Sequence, residues 1–165
     1  MKLKALKLLS RLTGFIPRRF PAMLALVFVS AITAAADLDA KPFAEAHVLL
    51  QVSDQDPIKY TSALDISNNL IKHYGGPDLV DIEVIAFGKA VEIYFAEKEG
   101  ANPNGVRIRS LQENGVRFYV CLNTLETLEK VSKKQMKLLP GVIGVQTGVA
   151  FIVDEVGAGY TLIKP

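Results

Sequence analysis

Cys121 is the only cysteine among 165 residues, and its position is one where a thiol can react. It follows an apolar run at 116–120 (Val-Arg-Phe-Tyr-Val) and precedes a helix-forming run at 122–126 (Leu-Asn-Thr-Leu-Glu). A thiol just ahead of a helix N-terminus meets the positive end of the macrodipole and unbonded N–H groups, here those of Asn123 and Thr124. Such a setting lowers a thiol pKa and enriches the nucleophilic thiolate. The competing reading is a packed, inert cysteine, because free cysteine is among the most buried residue types. Both readings fit the sequence.

Helpers for the thiol are scarce. His47 falls at the amino end of the first expected strand and His73 at the far end of a helix, so neither is expected to reach Cys121 as a catalytic base. One cysteine and two histidines show no metal-ligand spacing, so no metal is expected. Gly141, Gly144 and Gly148 lack the context of a phosphate or dinucleotide loop, and no cofactor is expected. Asp54 and Lys89 are candidates to line a cleft, as an acid/base residue and an anion binder; a solvated lysine is the plainer alternative for Lys89. Asp56 is explained as a helix cap. No base, oxyanion or metal set supports a hydrolase.

Positioning these residues needs strands that alternate with helices. The compact apolar runs at 47–53, 81–88, 116–120, 142–146 and 160–164 predict five strands, near-continuously apolar as strands buried on both faces are. Asp56 and Pro57 open a helix whose apolar face runs from Tyr60 to Tyr74 and stops at Gly75. Residues 89–99 are expected to be helical, 100–105 a loop and 108–114 a short helix. Asn123 with Glu126 predicts a capping box for the helix after Cys121, and Ser132 with Gln135 a second box. Residues 149–156 form the last expected helix. This alternation predicts a single α/β domain, a three-layer α/β/α sandwich with a mainly parallel sheet of about five strands. Chemistry on such sheets collects at the carboxyl ends of the strands. The loops there are 53–57, 88–89, 121–123 and 146–148.

The first 36 residues read as an export signal. Six basic residues and no acid precede or flank an apolar core at 23–29, and small residues end at Ala36. Cleavage is expected after Ala36, leaving 37–165 as the domain and the periplasm as its location, with membrane contact only during export. The alternative is a retained anchor, and the 17 residues from Phe20 to Ala36 are just long enough for it. The chain holds 19 basic and 17 acidic residues. Six of the basic ones lie in 1–36, so 37–165 keep 13 against 17 and a net charge of −4. A mildly acidic domain without a basic stripe is not expected to bind nucleic acid. One cysteine also leaves no intrachain disulfide, so burial alone must hold the fold.

The segment 115–125 (Gly-Val-Arg-Phe-Tyr-Val-Cys-Leu-Asn-Thr-Leu) resembles the cysteine region of DsrE/DsrF-like proteins. The first strand, the helix segment 63–70, the strand ending Ala86-Phe87-Gly88, the stretch 139–142, Gly148-Val149 and the closing 159–165 agree in order. The resemblance implies a compact parallel α/β fold, homo- or hetero-oligomers, and a cysteine at the place of Cys121 that relays sulfur as a persulfide. Its partners would be a sulfur donor or acceptor protein, or a small sulfane-sulfur compound. The expected function is such a carrier or a thiol-based sulfur or redox sensor using Cys121; the alternative is a non-catalytic oligomeric binding or assembly module in which Cys121 is packing.

Overall fold

The computed structural model describes residues 41–96 and 104–165. The export signal expected at 1–36, and most of the loop expected at 100–105, lie outside the described residues. Five strands form one sheet: β1 (Ala46–Val52), β2 (Val80–Ala86), β3 (Arg117–Cys121), β4 (Val142–Val145) and β5 (Thr161–Ile163). Their spatial order is β4-β3-β2-β1-β5, and every pairing is parallel. The expected α/β architecture is therefore present, with helices on both faces of an all-parallel sheet.

Both faces of the central strands are buried, which is why their sequences read as continuous apolar runs. Alternate residues go to opposite sides. Val48, Leu50, Ile82, Val84, Phe118 and Val120 belong to the larger core. Leu49, Ile85 and Tyr119 belong to a smaller one with Ile152. Parity along β3 puts Arg117, Tyr119 and Cys121 on the side of the smaller core.

Helix α1 (Pro57–Tyr74) starts as expected: the Asp56 carboxylate accepts the Ile58 N–H at 2.9 Å, and Pro57 occupies the first turn. Gly75 closes it at φ 87°. A short 3-10 segment (Gly88–Tyr94) follows β2, then α2 (Gly105–Glu113), α3 (Leu122–Ser132) and α4 (Gly148–Gly157). The topology dictates their sides. From β1 to β4 the chain steps outward in one direction, then returns past β1 to place β5. Right-handed crossovers put helices of opposite travel on opposite faces. Accordingly α1, α2 and α3 lay Leu64, Leu111 and Leu125 into the larger core, while α4 crosses the other face.

Three expectations are corrected. The helix expected over 89–99 is the 3-10 segment, which ends at Tyr94 after burying Ala90, Val91, Ile93 and Tyr94. Helix α3 begins one residue after Cys121, so Cys121 itself is the N-cap and Asn123 lies inside the first turn; the Asn123–Glu126 capping box is not formed. No helix opens at Ser132. Lys133 takes a left-handed conformation (φ 55°) that ends α3, and the Glu129 carboxylate accepts the Met136 N–H at 2.7 Å, holding the chain in a loop.

Candidate functional site: a thiol between two helix N-termini

Cys121 ends β3 with extended backbone (φ −73°, ψ 112°) and hands the chain directly to α3. The β4–α4 connection passes beside it, because α4 starts at the carboxyl end of the sheet and runs back across the face that carries Cys121. The sulfur is thus flanked by two helix starts. The Gly148 N–H, in the first turn of α4, donates to Sγ at 3.3 Å. Burial, the largest single influence, opposes the thiolate; the polar groups around it, those of Thr124, Gly148 and Asn123, outweigh it and hold the thiol below its ordinary value.

The cradle is tightly built. A Cβ on Gly148 would lie 3.1 Å from the Cys121 Cβ and 3.2 Å from the Phe87 Cβ. Asn123 fastens the β4–α4 loop over the thiol: its N–H donates to Gln146 O at 3.1 Å, its side-chain amide donates to Thr147 Oγ1 at 3.1 Å, and Gln146 Nε2 donates to its Oδ1 at 2.6 Å. The Thr124 hydroxyl accepts the Gly88 N–H at 3.3 Å, tying the end of β2 to the same place. Gly88 has φ 57°, and a Cβ there would stand 2.8 Å from Ser53 O, so only glycine fits this turn. Cys121 is 6% exposed.

The loops expected at the carboxyl edge therefore meet around Cys121, but not every residue named in them does. Asn123 and Thr124 lie in the first turn of α3 beside it, and both favour the thiolate. Asp54 turns away to an exposed ion pair with Lys59 and a bond from the Asp56 N–H at 3.1 Å. Lys89 is exposed on the 3-10 segment. His47 lies at the amino end of β1 against the Tyr160 ring, and His73 packs on Tyr74 in the last turn of α1. Among the described residues no group of three or more His, Cys, Asp or Glu could hold a metal ion.

A second polar group lies on the same face, nearer the amino ends. Asp81 and Glu83 of β2 are 0% and 1% exposed and share one guanidinium: Arg117 Nη2 stands 3.0 Å from Asp81 Oδ2 and 2.8 Å from Glu83 Oε1. The Tyr160 hydroxyl donates to Asp81 Oδ2 at 2.6 Å and accepts from Arg117 Nη2 at 2.9 Å. Tyr119 donates to Glu83 Oε1 at 3.2 Å. Burial pushes Asp81 up, yet the bonds from Tyr160 and Arg117 outweigh it and keep the carboxyl below its usual range. Glu83 goes the other way. Burial, only partly offset by Arg117 and reinforced by Glu155, pushes it up to about 7. Asp81 Oδ1 and Glu83 Oε2 are buried without a hydrogen-bond partner. Its only trace in the sequence is Asp81 and Glu83 at alternate positions of β2 and Arg117 at the start of β3, which does not by itself pair them.

No family model matches the chain, and no curated protein matches it. Among solved structures the fold is similar to MTH1491 from Methanobacterium thermoautotrophicum, described as a protein of unknown function. The TM-score is 0.63 with 26% sequence identity, over 73% of this chain and 100% of that one. The likeness supports the five-stranded parallel α/β architecture.

Proposed function

We propose that this chain is an exported, DsrE/DsrF-like sulfur carrier in which Cys121 accepts a sulfane sulfur and hands it on. The observation that carries the reading is the Gly148 N–H at 3.3 Å from Cys121 Sγ, with the sulfur at the junction where β3 passes directly into the first turn of α3. Both favour the thiolate, the form that attacks sulfur. The Cys121 thiolate attacks the outer sulfur of thiosulfate; the donor S–S bond breaks, sulfite leaves with the bond's electron pair, and Cys121 keeps a persulfide anion. An acceptor thiolate then attacks the outer sulfur and releases Cys121 as thiolate, so no external oxidant or reductant is consumed. At 6% exposure the sulfur is largely covered, so a small donor such as thiosulfate suits it better than a bulky one.

Intact mass after incubation of residues 37–165 with thiosulfate or polysulfide tests this. A gain of one or more sulfur atoms is expected, absent in Cys121→Ser. No gain, or an equal gain in the variant, overturns it.

The low exposure of Cys121 favours a second reading, a binding or assembly module with a structural cysteine. That reading expects the native thiol to resist a thiol reagent and Cys121→Ala to leave any cellular phenotype unchanged. Rapid native labelling with an apparent pKa well below ~8.5 counts against it.

A further inference from the structure

The outward sides of the helices differ in kind. Helix α1 turns Asp65, Asn69 and Lys72 to solvent, and α3 turns Glu126, Thr127 and Lys130. Helix α4 turns out Val149, Ala150, Val153, Val156 and Gly157, with Asp154 at the margin as its one exposed charge. The three valines are 55%, 64% and 45% exposed. Its inward side is apolar as well, with Phe151 against Tyr119 and Ile152 among Leu49 and Ile85. A helix apolar all round belongs in an interior, and an apolar patch left at the surface marks a contact. The helical layer on this face is also incomplete. Among the described residues α4 is the one helix that covers it. Neighbouring strands lie about 4.8 Å apart, so five span roughly 20 Å, twice the width of one helix. Ile143 of the edge strand β4, whose register partner is Tyr119, is 39% exposed on the uncovered flank.

We propose that α4 is a homodimer interface, packing antiparallel on α4 of a second copy across a two-fold axis at Val153. The proposal goes beyond the carrier reading and stands whether or not Cys121 loads sulfur. The face selects a second copy because it complements itself. Reversal about Val153 sets Val149 opposite Gly157, Ala150 opposite Val156, and Val153 on its own counterpart. Large residues then meet small ones, so the two backbones can approach closely. The space beside Gly157 is open, with no heavy atom within 4 Å of where its Cβ would be. Charge selects the direction. The first turn of α4 carries no acidic residue and presents the positive end of the helix dipole. An antiparallel partner brings its Asp154 toward that turn, whereas a parallel one would set Asp154 beside Asp154. Closed two-fold pairing uses the same patch on both copies, as the commonest soluble oligomers do. A helix of 10 residues is about 15 Å long, too short alone to bury the ~800 Å² per partner of a standard interface. The open flank of the sheet that carries Ile143 supplies further area.

Sedimentation velocity of the purified protein over a range of concentrations is the test. A dimer is expected, and Val153→Glu should weaken it roughly thirtyfold or more, the effect of a residue at an interface centre. Val153 belongs to neither core, so this variant should keep the unfolding midpoint of the parent at dissociating concentrations. Val131→Glu, on α3 at 78% exposure, should leave the dimer intact. Orientation is read by oxidative cross-linking in a Cys121→Ser background. Val153→Cys should link to itself, and Val149→Cys should link to Gly157→Cys in a mixture of the two far more readily than to itself. A monomer at every concentration overturns the proposal, whether the face then takes up lipid vesicles, the first 36 residues of the chain or nothing. So does a dimer indifferent to Val153→Glu, or one in which Val149→Cys links chiefly to itself. Sulfur loading of the parent and of Val153→Glu, scored separately by mass, bears on the carrier reading alone.

Discussion

At the scale of single residues, the thiol is governed by donors no more than three residues away or one strand over. Thr124 contributes both an amide and a hydroxyl, and the hydroxyl is the part that mutation can remove. Thr124→Val is expected to raise the Cys121 midpoint toward the ordinary thiol value, while Thr124→Ser keeps it near the parent; alkylation rate against pH reads both. Equal midpoints for the two variants would show that the amides alone hold the thiolate. Cys121 was legible as the residue of interest because uniqueness and a strand-to-helix position are properties of the linear chain. Gly148 as a donor was not. Its contact spans 27 residues and depends on where α4 starts in space, which no local pattern records. Asp54 and Lys89 were named from the same loops, yet Lys59, a neighbour in the first turn of α1, draws Asp54 outward.

At the scale of elements, strands and α1 were legible because each carries its own reason to form: unbroken apolar runs, an Asp-Pro start and a left-handed glycine stop. The elements around α3 were less so. The thiol took the cap position expected of Asn123, because the β3–β4 pairing holds Cys121 opposite Val145 as strand up to its last residue. At the other end, Lys133 accepts a left-handed conformation that favours glycine. Lys133→Gly is expected to stabilise the protein by about 0.5–1 kcal/mol, the relief of Cβ strain less the entropy a glycine loses on folding. Urea unfolding measures it, and a loss of stability would mean that the Lys133 side chain contributes more than its strain costs.

At the scale of the whole molecule, the buried Glu83 writes a pH dependence into stability. Its folded pKa, about 7, lies above the ordinary 4.5, so the native state holds its proton more tightly than the unfolded chain. The contribution is fully present below about pH 4.5 and is lost as pH rises through about 7, amounting to about 3 kcal/mol. Relative to the parent, Glu83→Gln should therefore gain stability between about pH 5 and about pH 8. Parallel urea-derived stability curves for the two proteins would contradict this. The fold as a whole could be read in advance because alternation of strand and helix leaves few topologies. The polar cluster could not, since pairing Asp81 with Arg117 and Tyr160 requires the sheet to exist first. The return crossover that sets β5 beside β1 has one more effect. Residues 48 and 161 are register partners, and Gly148 follows Cys121 by 27 residues. A growing chain has β3 and the start of α3 long before it has α4. The sulfur therefore spends part of synthesis with half its cradle, and the later of the two helix starts is the one that covers it.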